Sequence, residues 1–349
     1  ELATQWADQA TKDQMAVARE TSEKFEIGRN FCNKLWNAAR FAFLNLKGAP
    51  CDRLDVATLP PEDRWILARL SQTIRRYHEA LAGYQFSASV RELREFFWDG
   101  LCDWYIELTK ARLTGDDRNP QGAWLRATAK QILAFCMDQT LRLWHPTIPF
   151  LTERLWRQLN EVAPQRGLPG IVDLNCDGLL IRAEFPPLEG YPSLDDPAIL
   201  TTFEGLQDAV RGLRDLRANT NVPPKDKVRA TIVVPEQHLD SFRAEAHVVR
   251  HMVNIGELDV VAEGKRPRNA AGLAIKSLRI FVHDVSDDQA DLARTLKSLE
   301  ALQQQITGKE AKLGNEKFVA NAKPEVVEAE RKRLAELLAQ QTLLQAHLS

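Results

Sequence analysis

In Gly28-Arg29-Asn30-Phe31-Cys32-Asn33-Lys34-Leu35-Trp36-Asn37-Ala38-Ala39-Arg40-Phe41 the side chains separate onto two faces of a helix. They do so when spaced at about 100° per residue, as an α-helix places them. With Arg29 set at zero, Arg40 falls near ~20°, Asn33 near ~40°, Asn37 near ~80° and Asn30 near ~100°. The arc from about 160° to about 280° holds Ile27, Ala38, Phe31, Ala42, Leu35, Leu46 and Ala39, the composition of a core-facing stripe. The opposite edge is not an ordinary solvated face, which carries Glu and Lys, the better helix formers. Each interior Asn costs roughly 0.5 kcal/mol relative to Ala, so their number points to another use. Asn offers a donor and an acceptor in one planar group; Arg offers a fork for phosphate or guanine and a flat face for stacking. Such an edge beside an aromatic suits the recognition of unstacked single-stranded bases. Trp36, near ~340°, borders it. Periodicity leaves two readings open: an outward recognition edge with Trp36 as a stacking plane, or Asn side chains bonded to neighbouring helices with Trp36 in the core.

On either side of this stretch the pattern stays helical. Helices are expected over roughly 22–47, 61–82, 86–114, 120–144 and 147–162, ended by Pro, Gly and Asn. Pro61 with Glu62 and Asp63 makes a typical helix start, a proline in the first turn and acids at the positive end of the dipole. All eight tryptophans lie between Trp6 and Trp156, and seven of them, Trp36 to Trp156, fall in residues 22–163, so the bulky core-filling side chains concentrate in a helical bundle there. Residues 1–21 read as an irregular lead-in. Residues 164–197, rich in Pro and Gly, read as a linker. A small α/β unit over 198–286 follows: helices at 198–218 and 236–253, strands at 228–234, 257–262 and 278–284. A loop at 264–272 carries Lys265, Arg266 and Arg268, a candidate phosphate contact.

From 287 to 349 two apolar seams appear. Leu292, Leu296, Leu299, Gln303, Ile306, Glu310 and Leu313 recur with alternating spacings of four and three. Val327, Glu330, Leu334, Leu337, Gln341, Leu344 and Leu348 recur with three and four, as in a coiled coil. Gly314-Asn315 can stop the first helix and Pro324 can start the second. The pair folds back as an antiparallel hairpin, or each seam pairs with another chain. Lys309, Lys312, Lys317 and Lys323 gather near the turn beside Phe318, a distribution suited to phosphate contact and stacking. Phe318 plugging the end of the hairpin is the alternative.

Composition excludes several classes. The 349 residues carry 46 Lys plus Arg against 48 Asp plus Glu, a net charge of −2, so nucleic-acid contact must be local. No run approaches the ~18 apolar residues of a membrane span. Five scattered cysteines (Cys32, Cys51, Cys102, Cys136 and Cys176) form no Cys-x-x-Cys pair, which argues against a disulfide scaffold or a zinc ribbon and for a reducing compartment. His145-Pro146 reads as a helix-start hydrogen bond, and Cys102-Asp103-Trp104-Tyr105-Ile106-Glu107 as helix packing. With no Gly-rich phosphate loop, metal-spaced His pair or nucleophile elbow, the residues favour a binding module over a catalytic centre. The chain opens at Glu1 without Met, consistent with a piece of a longer protein.

The string from Gly28 to Phe41 resembles the first anticodon-domain helix of bacterial valyl-tRNA synthetases. Asp63-Arg64-Trp65-Ile66-Leu67, Cys102 to Glu107, and His145 to Trp156 are similar to further stretches of that family, in its order. Asn315-Glu316-Lys317-Phe318-Val319-Ala320-Asn321-Ala322-Lys323-Pro324-Glu325-Val326-Val327 resembles the tip of its coiled-coil arm, although Lys323 stands where that motif often has a small residue. The family's His-Ile-Gly-His and Lys-Met-Ser-Lys-Ser type motifs do not occur in this sequence, nor does an editing domain. Leu2-Ala3-Thr4-Gln5 resembles the segment shortly after the second motif.

The resemblance implies a mainly α fold: an anticodon-binding bundle, a connecting α/β unit and a coiled-coil arm. It implies one half of an ATP-dependent valine–tRNA ligase, an enzyme of translation, with magnesium and ATP used by the parent enzyme and no cofactor in this portion. It implies valine tRNA as partner, with no DNA and no membrane, and a cytoplasmic monomer. Arg29, Asn30, Asn33, Trp36, Asn37 and Arg40 would meet the anticodon; Lys309, Lys312, Lys317, Phe318 and Lys323 would meet the tRNA elbow. The competing class is a helical protein-interaction module whose arm dimerises.

Overall fold

A computed structural model describes residues 23–47, 51–115, 120–285, 288–314 and 324–348. The fold is mainly α with one small mixed sheet. It divides into two compact units, one of residues 1–55 and 72–193, the other of 56–71 and 194–349.

The first unit is helical. Helix α1, Glu23–Asn45, buries Phe31, Leu35, Ala39 and Ala42, with Leu46 just beyond its end, at spacings of four, four, three and four. That face packs on α5, Pro120–Trp144, and α6, Pro149–Val162. The Phe31 ring lies 4.3 Å from that of Trp144 and 5.7 Å from that of Phe97. Helix α2, Pro61–Ala82, starts with the expected proline and acids; its residues to Ser71 belong to the second unit.

The helix expected over 86–114 is helical throughout but not α throughout. It runs as α3, Phe86–Arg94, then as a π-helix, Glu95–Ile106, and then as α4, Glu107–Thr114. Bonding from i to i+5 re-phases the side chains. Phe96, Phe97, Gly100, Leu101, Trp104 and Tyr105 are buried in pairs four residues apart. Trp98 and Cys102 are left half-buried, with Asp99 and Asp103 exposed.

Helix α5 is buried on every side from Gln131 to Trp144, including the polar Asp138, Gln139 and Arg142. Residues 164–193 supply their partners, so this segment is more than a connector. Asp138 accepts from Arg142 Nε at 2.5 Å and from Arg166 Nε at 2.7 Å. The two guanidinium groups lie 4.8 Å and 4.2 Å from the Trp156 ring. Tyr191 donates to Gln139 at 2.7 Å, and Trp156 Nε1 to the Gly178 carbonyl at 3.1 Å. The Glu184 and Asn175 carbonyls accept from Arg142 at 2.5 Å and 2.9 Å and so satisfy a buried charge that a plain helix–helix contact would leave orphaned.

In the second unit α7, Pro197–Asn219, is capped by Asp196, whose Oδ1 accepts from the Ile199 N–H at 3.0 Å. Trp65 stacks on Phe203 of α7 with ring centres 4.8 Å apart. Four strands, β1 Val228–Val233, β2 Ile255–Val261, β3 Ala271–Ile275 and β4 Leu278–Val282, lie in the order β2-β1-β4-β3. β1 and β2 are parallel, joined through α8, Leu239–Ala244, and α9, Ala246–Val253, which break at Glu245 where one helix was expected. The other pairings are antiparallel. α7 packs across β3 and β4 so closely that a Cβ on Gly212 would stand 2.5 Å from the Ile280 Cδ1. β3 falls at the end of the expected loop: Ala271, Gly272 and Ala274 are weak strand formers, so only its pairing with β4 defines it.

Helices α10, Asp288–Leu313, and α11, Pro324–Leu348, pack on each other within the chain. Gln303 meets Gln341, Ile306 lies with Leu337, and Lys312 meets Glu330. One number rises as the other falls, which makes the pair antiparallel. In the second seam Val327 and Leu337 are buried and Glu330, Leu334 and Gln341 half-buried, while the side chains of Leu344 and Leu348 lie outside those described. The first is shifted by one residue at two positions: Leu302 and not Gln303 is buried, and Lys309 and not Glu310 turns inward. Leu296, expected in the seam, is 48% exposed. Lys309 and Glu330 face each other across the helix pair and form an ion pair, at a place where the apolar spacing had put Glu310.

Candidate nucleic-acid interface

The expected edge of α1 faces outward. Arg29, Asn30, Asn33, Trp36, Asn37 and Arg40 are all exposed, while Phe31, Leu35, Ala39, Ala42 and Leu46 opposite are buried; of the expected core stripe Ala38 is half-buried and Ile27, one turn before Phe31, is 56% exposed. Trp36 is 40% exposed, so it borders the edge and is not sealed in the core. Among the described residues, the amides of Asn30, Asn33 and Asn37 and the guanidinium of Arg40 have no hydrogen-bond or ion-pair partner. The reading in which these amides serve neighbouring helices does not hold. Arg29 lies 3.7 Å from Glu26, an exposed pair of little energetic weight.

On its other flank the edge meets the π-helix. Lys34, near ~140° on the same helical wheel, bonds Asp103 at 2.7 Å. Its ammonium also stands 4.7 Å from the Trp98 ring centre, and Arg94 Cζ stands 5.3 Å from it. Trp98 rests against Phe31, with ring centres 6.4 Å apart and planes 28° apart. Residue patterns had not singled out Arg94 or Trp98. The available signal was their i, i+4 spacing, which places a cation over an aromatic on one helix face. Cys102, next to this cluster, has its thiol pushed up to about 12, chiefly by burial, with Asp103 and Asp99 adding and Lys34 opposing. It is no nucleophile at neutral pH. His145 Nδ1 lies 2.8 Å from Thr152 Oγ1, a contact at the start of α6.

At the helix pair, Lys309 and Lys312 both bond the Glu330 carboxylate, which they hold down to about 2. Lys317, Phe318 and Lys323 lie outside the described residues. In the basic loop, Arg266 Nε donates to the Ala270 carbonyl at 3.0 Å. Among the described residues no three His, Cys, Asp or Glu side chains come together as a metal ion would require, and no helix is long and apolar enough to cross a membrane.

Residues 63–232 match the family model described as the anticodon-binding domain of tRNA ligase, which sets the class. Residues 287–349 match the valyl tRNA synthetase tRNA binding arm. Curated relatives named valine–tRNA ligase agree along almost the whole chain. The protein of Rhodopirellula baltica is 36% identical over 97% of this chain and 32% of its own length. That of Enterococcus faecalis is 31% identical over 94% and 35%, and that of Brucella suis 35% over 88% and 32%. The chain belongs to the valyl-tRNA synthetase family, as its anticodon-binding and tRNA-binding arm portion. It spans about a third of the length of these relatives. The first family match begins at Asp63, after α1; the alignment with the Rhodopirellula relative takes in 97% of the chain and therefore α1 as well.

Proposed function

We propose that this chain is the tRNA-holding part of a valine–tRNA ligase. Arg29, Asn30, Asn33, Asn37 and Arg40 take the unstacked anticodon bases of valine tRNA, with Trp36 as a flanking plane. The observation that carries this is the exposure of unpartnered amides and a guanidinium along one edge of α1, on a helix whose other face is core. A planar amide left unpaired by a wrong base costs about 1–3 kcal/mol, which is enough for discrimination. The helix pair orients the tRNA at its elbow through mostly sequence-independent contacts, for which Lys312, Lys317, Lys323 and Phe318 are the candidates. Lys309 supports this indirectly, since it turns inward to Glu330. The α/β unit fixes the base of the helix pair, and residues 164–193 count with the bundle, whose buried charges they help to satisfy. Joining valine to the tRNA with ATP and magnesium belongs to the remainder of the enzyme; no described residue of this chain is assigned to that chemistry. The enzyme works as a cytoplasmic monomer. A dimerising arm is disfavoured because Leu302, Ile306, Leu334 and Leu337 pack on one another within the chain.

The test compares Asn33→Ala and Arg40→Ala on tRNAs with the native and an altered anticodon. Larger losses on the native anticodon are expected, roughly tenfold per variant. Equal losses on both, or none, would refute a reading role.

A further inference from the structure

The edge of α1 carries few cations: Arg29, only weakly paired with Glu26, and Arg40, while Lys34 is bonded to Asp103. A single-stranded loop brings one phosphate per nucleotide, so bases read at this edge need a cation at its border. The π-helix flank supplies one. Arg94 is exposed, and among the described residues no carboxylate lies within ion-pair distance of it. Its guanidinium is seated 5.3 Å from the centre of the Trp98 ring. Trp98 is itself fixed from below by Phe31, the first buried residue of the edge helix, and shares its ring with Lys34 from that helix. The turn where α3 passes into the π-helix thus seats an arginine on an aromatic mount that it shares with Lys34 of the edge helix, and a mounted guanidinium loses less freedom on binding than a loose one.

We infer that Arg94 is a further RNA-binding residue, contacting a backbone phosphate beside the bases held by α1, and that Trp98 is the positioning residue that aims it. This rests on the reading of α1 as the anticodon face. It gives the interface two walls, one reading bases and one holding backbone.

The experiment measures binding of the full chain to a synthetic valine anticodon stem-loop across a salt series, for wild type, Arg94→Ala, Trp98→Leu, Trp98→Phe and Asn33→Ala. Arg94→Ala is expected to weaken binding roughly tenfold. It should also flatten the slope of log affinity against log salt by about 0.7, the value for one single-strand phosphate. Trp98→Leu should reproduce both effects and add nothing to Arg94→Ala, while Trp98→Phe, which keeps an aromatic face, restores most of the slope. Asn33→Ala should weaken binding with the slope unchanged. If Arg94→Ala leaves the slope unchanged while Asn33→Ala weakens binding, the phosphate role of Arg94 is overturned and the base-reading face stands. If Asn33→Ala has no effect either, the anticodon face itself fails. Loss of slope in Arg94→Ala with full retention in Trp98→Leu would remove Trp98 as its mount.

Discussion

Replacing Asp138 by Ala tests the account of what holds the bundle under the proposed interface. The carboxylate is fully buried and takes four N–H donors, Arg142 Nε and Nη2, Arg166 Nε and Gln139 Nε2, and the Cys176 thiol. Its removal leaves two guanidinium groups, 0% and 3% exposed, with no counter-charge. Truncating one partner of a buried ion pair costs about 3–5 kcal/mol. Each arginine keeps acceptors: Glu184 and Asn175 carbonyls for Arg142, and the Ala163 carbonyl and Asn160 Oδ1 for Arg166. The Trp156 face also remains between them. The loss is therefore placed at the lower end, about 3 kcal/mol, which for a unit of this size lowers the melting midpoint by roughly 6–12 °C. Asp138→Asn, which keeps one acceptor oxygen and the side-chain shape, should fall between this variant and wild type. Thermal unfolding and urea titration of the full chain read both. An Asp138→Ala protein within 1 kcal/mol of wild type, on the scale cited for buried pairs, would show that the carbonyls of 164–193 suffice and that the carboxylate is dispensable.

Cys102 should resist iodoacetamide in the folded protein. With its thiol near 12, roughly one molecule in ten thousand is thiolate at about pH 8; labelling as fast as a free cysteine would contradict the burial that raises it. The helix pair should weaken in acid through Glu330. Its carboxyl is held at about 2, below the unfolded value of about 4.3, so its contribution is present above that value and lost as pH falls toward 2. The stability gap between wild type and Glu330→Gln, followed by circular dichroism of the full chain, should be open near pH 6 and closed near pH 2. A gap that does not change with pH would mean that Lys309 and Lys312 do not act through this carboxylate.

The two faces of α1 were legible because a 3.6-residue period sorts side chains without tertiary information, and Phe31, Leu35 and Ala39 went in as the wheel required. The π-helix was not legible: its buried pairs recur every four residues, which a short window does not separate from an amphipathic α-helix. Nor was the role of 164–193. Prolines and glycines announce a break in regular structure, but that the Asn175 and Glu184 carbonyls would turn inward to Arg142 depends on an arginine whose burial no local pattern reveals. The phase of α10 failed for a related reason. Polarity scored Lys309 as outside, and it is Glu330 across the seam that brings it in. Local periodicity sorts a core-facing stripe well where apolar residues dominate it, as on α1; it does not say which charges find partners there, nor which of two neighbouring residues a polar seam takes, as with Leu302 and Gln303.

The same separation yields a test of whether the amides on α1 serve binding or structure. Phe31 and Leu35 on its inner face are buried, each side chain worth about 1.5–3 kcal/mol, an upper range because the unfolded chain already hides some surface. Against this, three interior Asn cost roughly 1.5 kcal/mol together relative to Ala. The helix therefore tolerates its polar edge, and nothing on that edge contributes a partnered hydrogen bond to the fold among the described residues. Asn33→Ala and Asn37→Ala should then raise stability by about 0.5 kcal/mol each while weakening tRNA binding. A residue that stabilised the bundle would move both quantities in the same direction. If these variants lose stability in urea titration, the amides have structural partners and the edge is not free to receive bases.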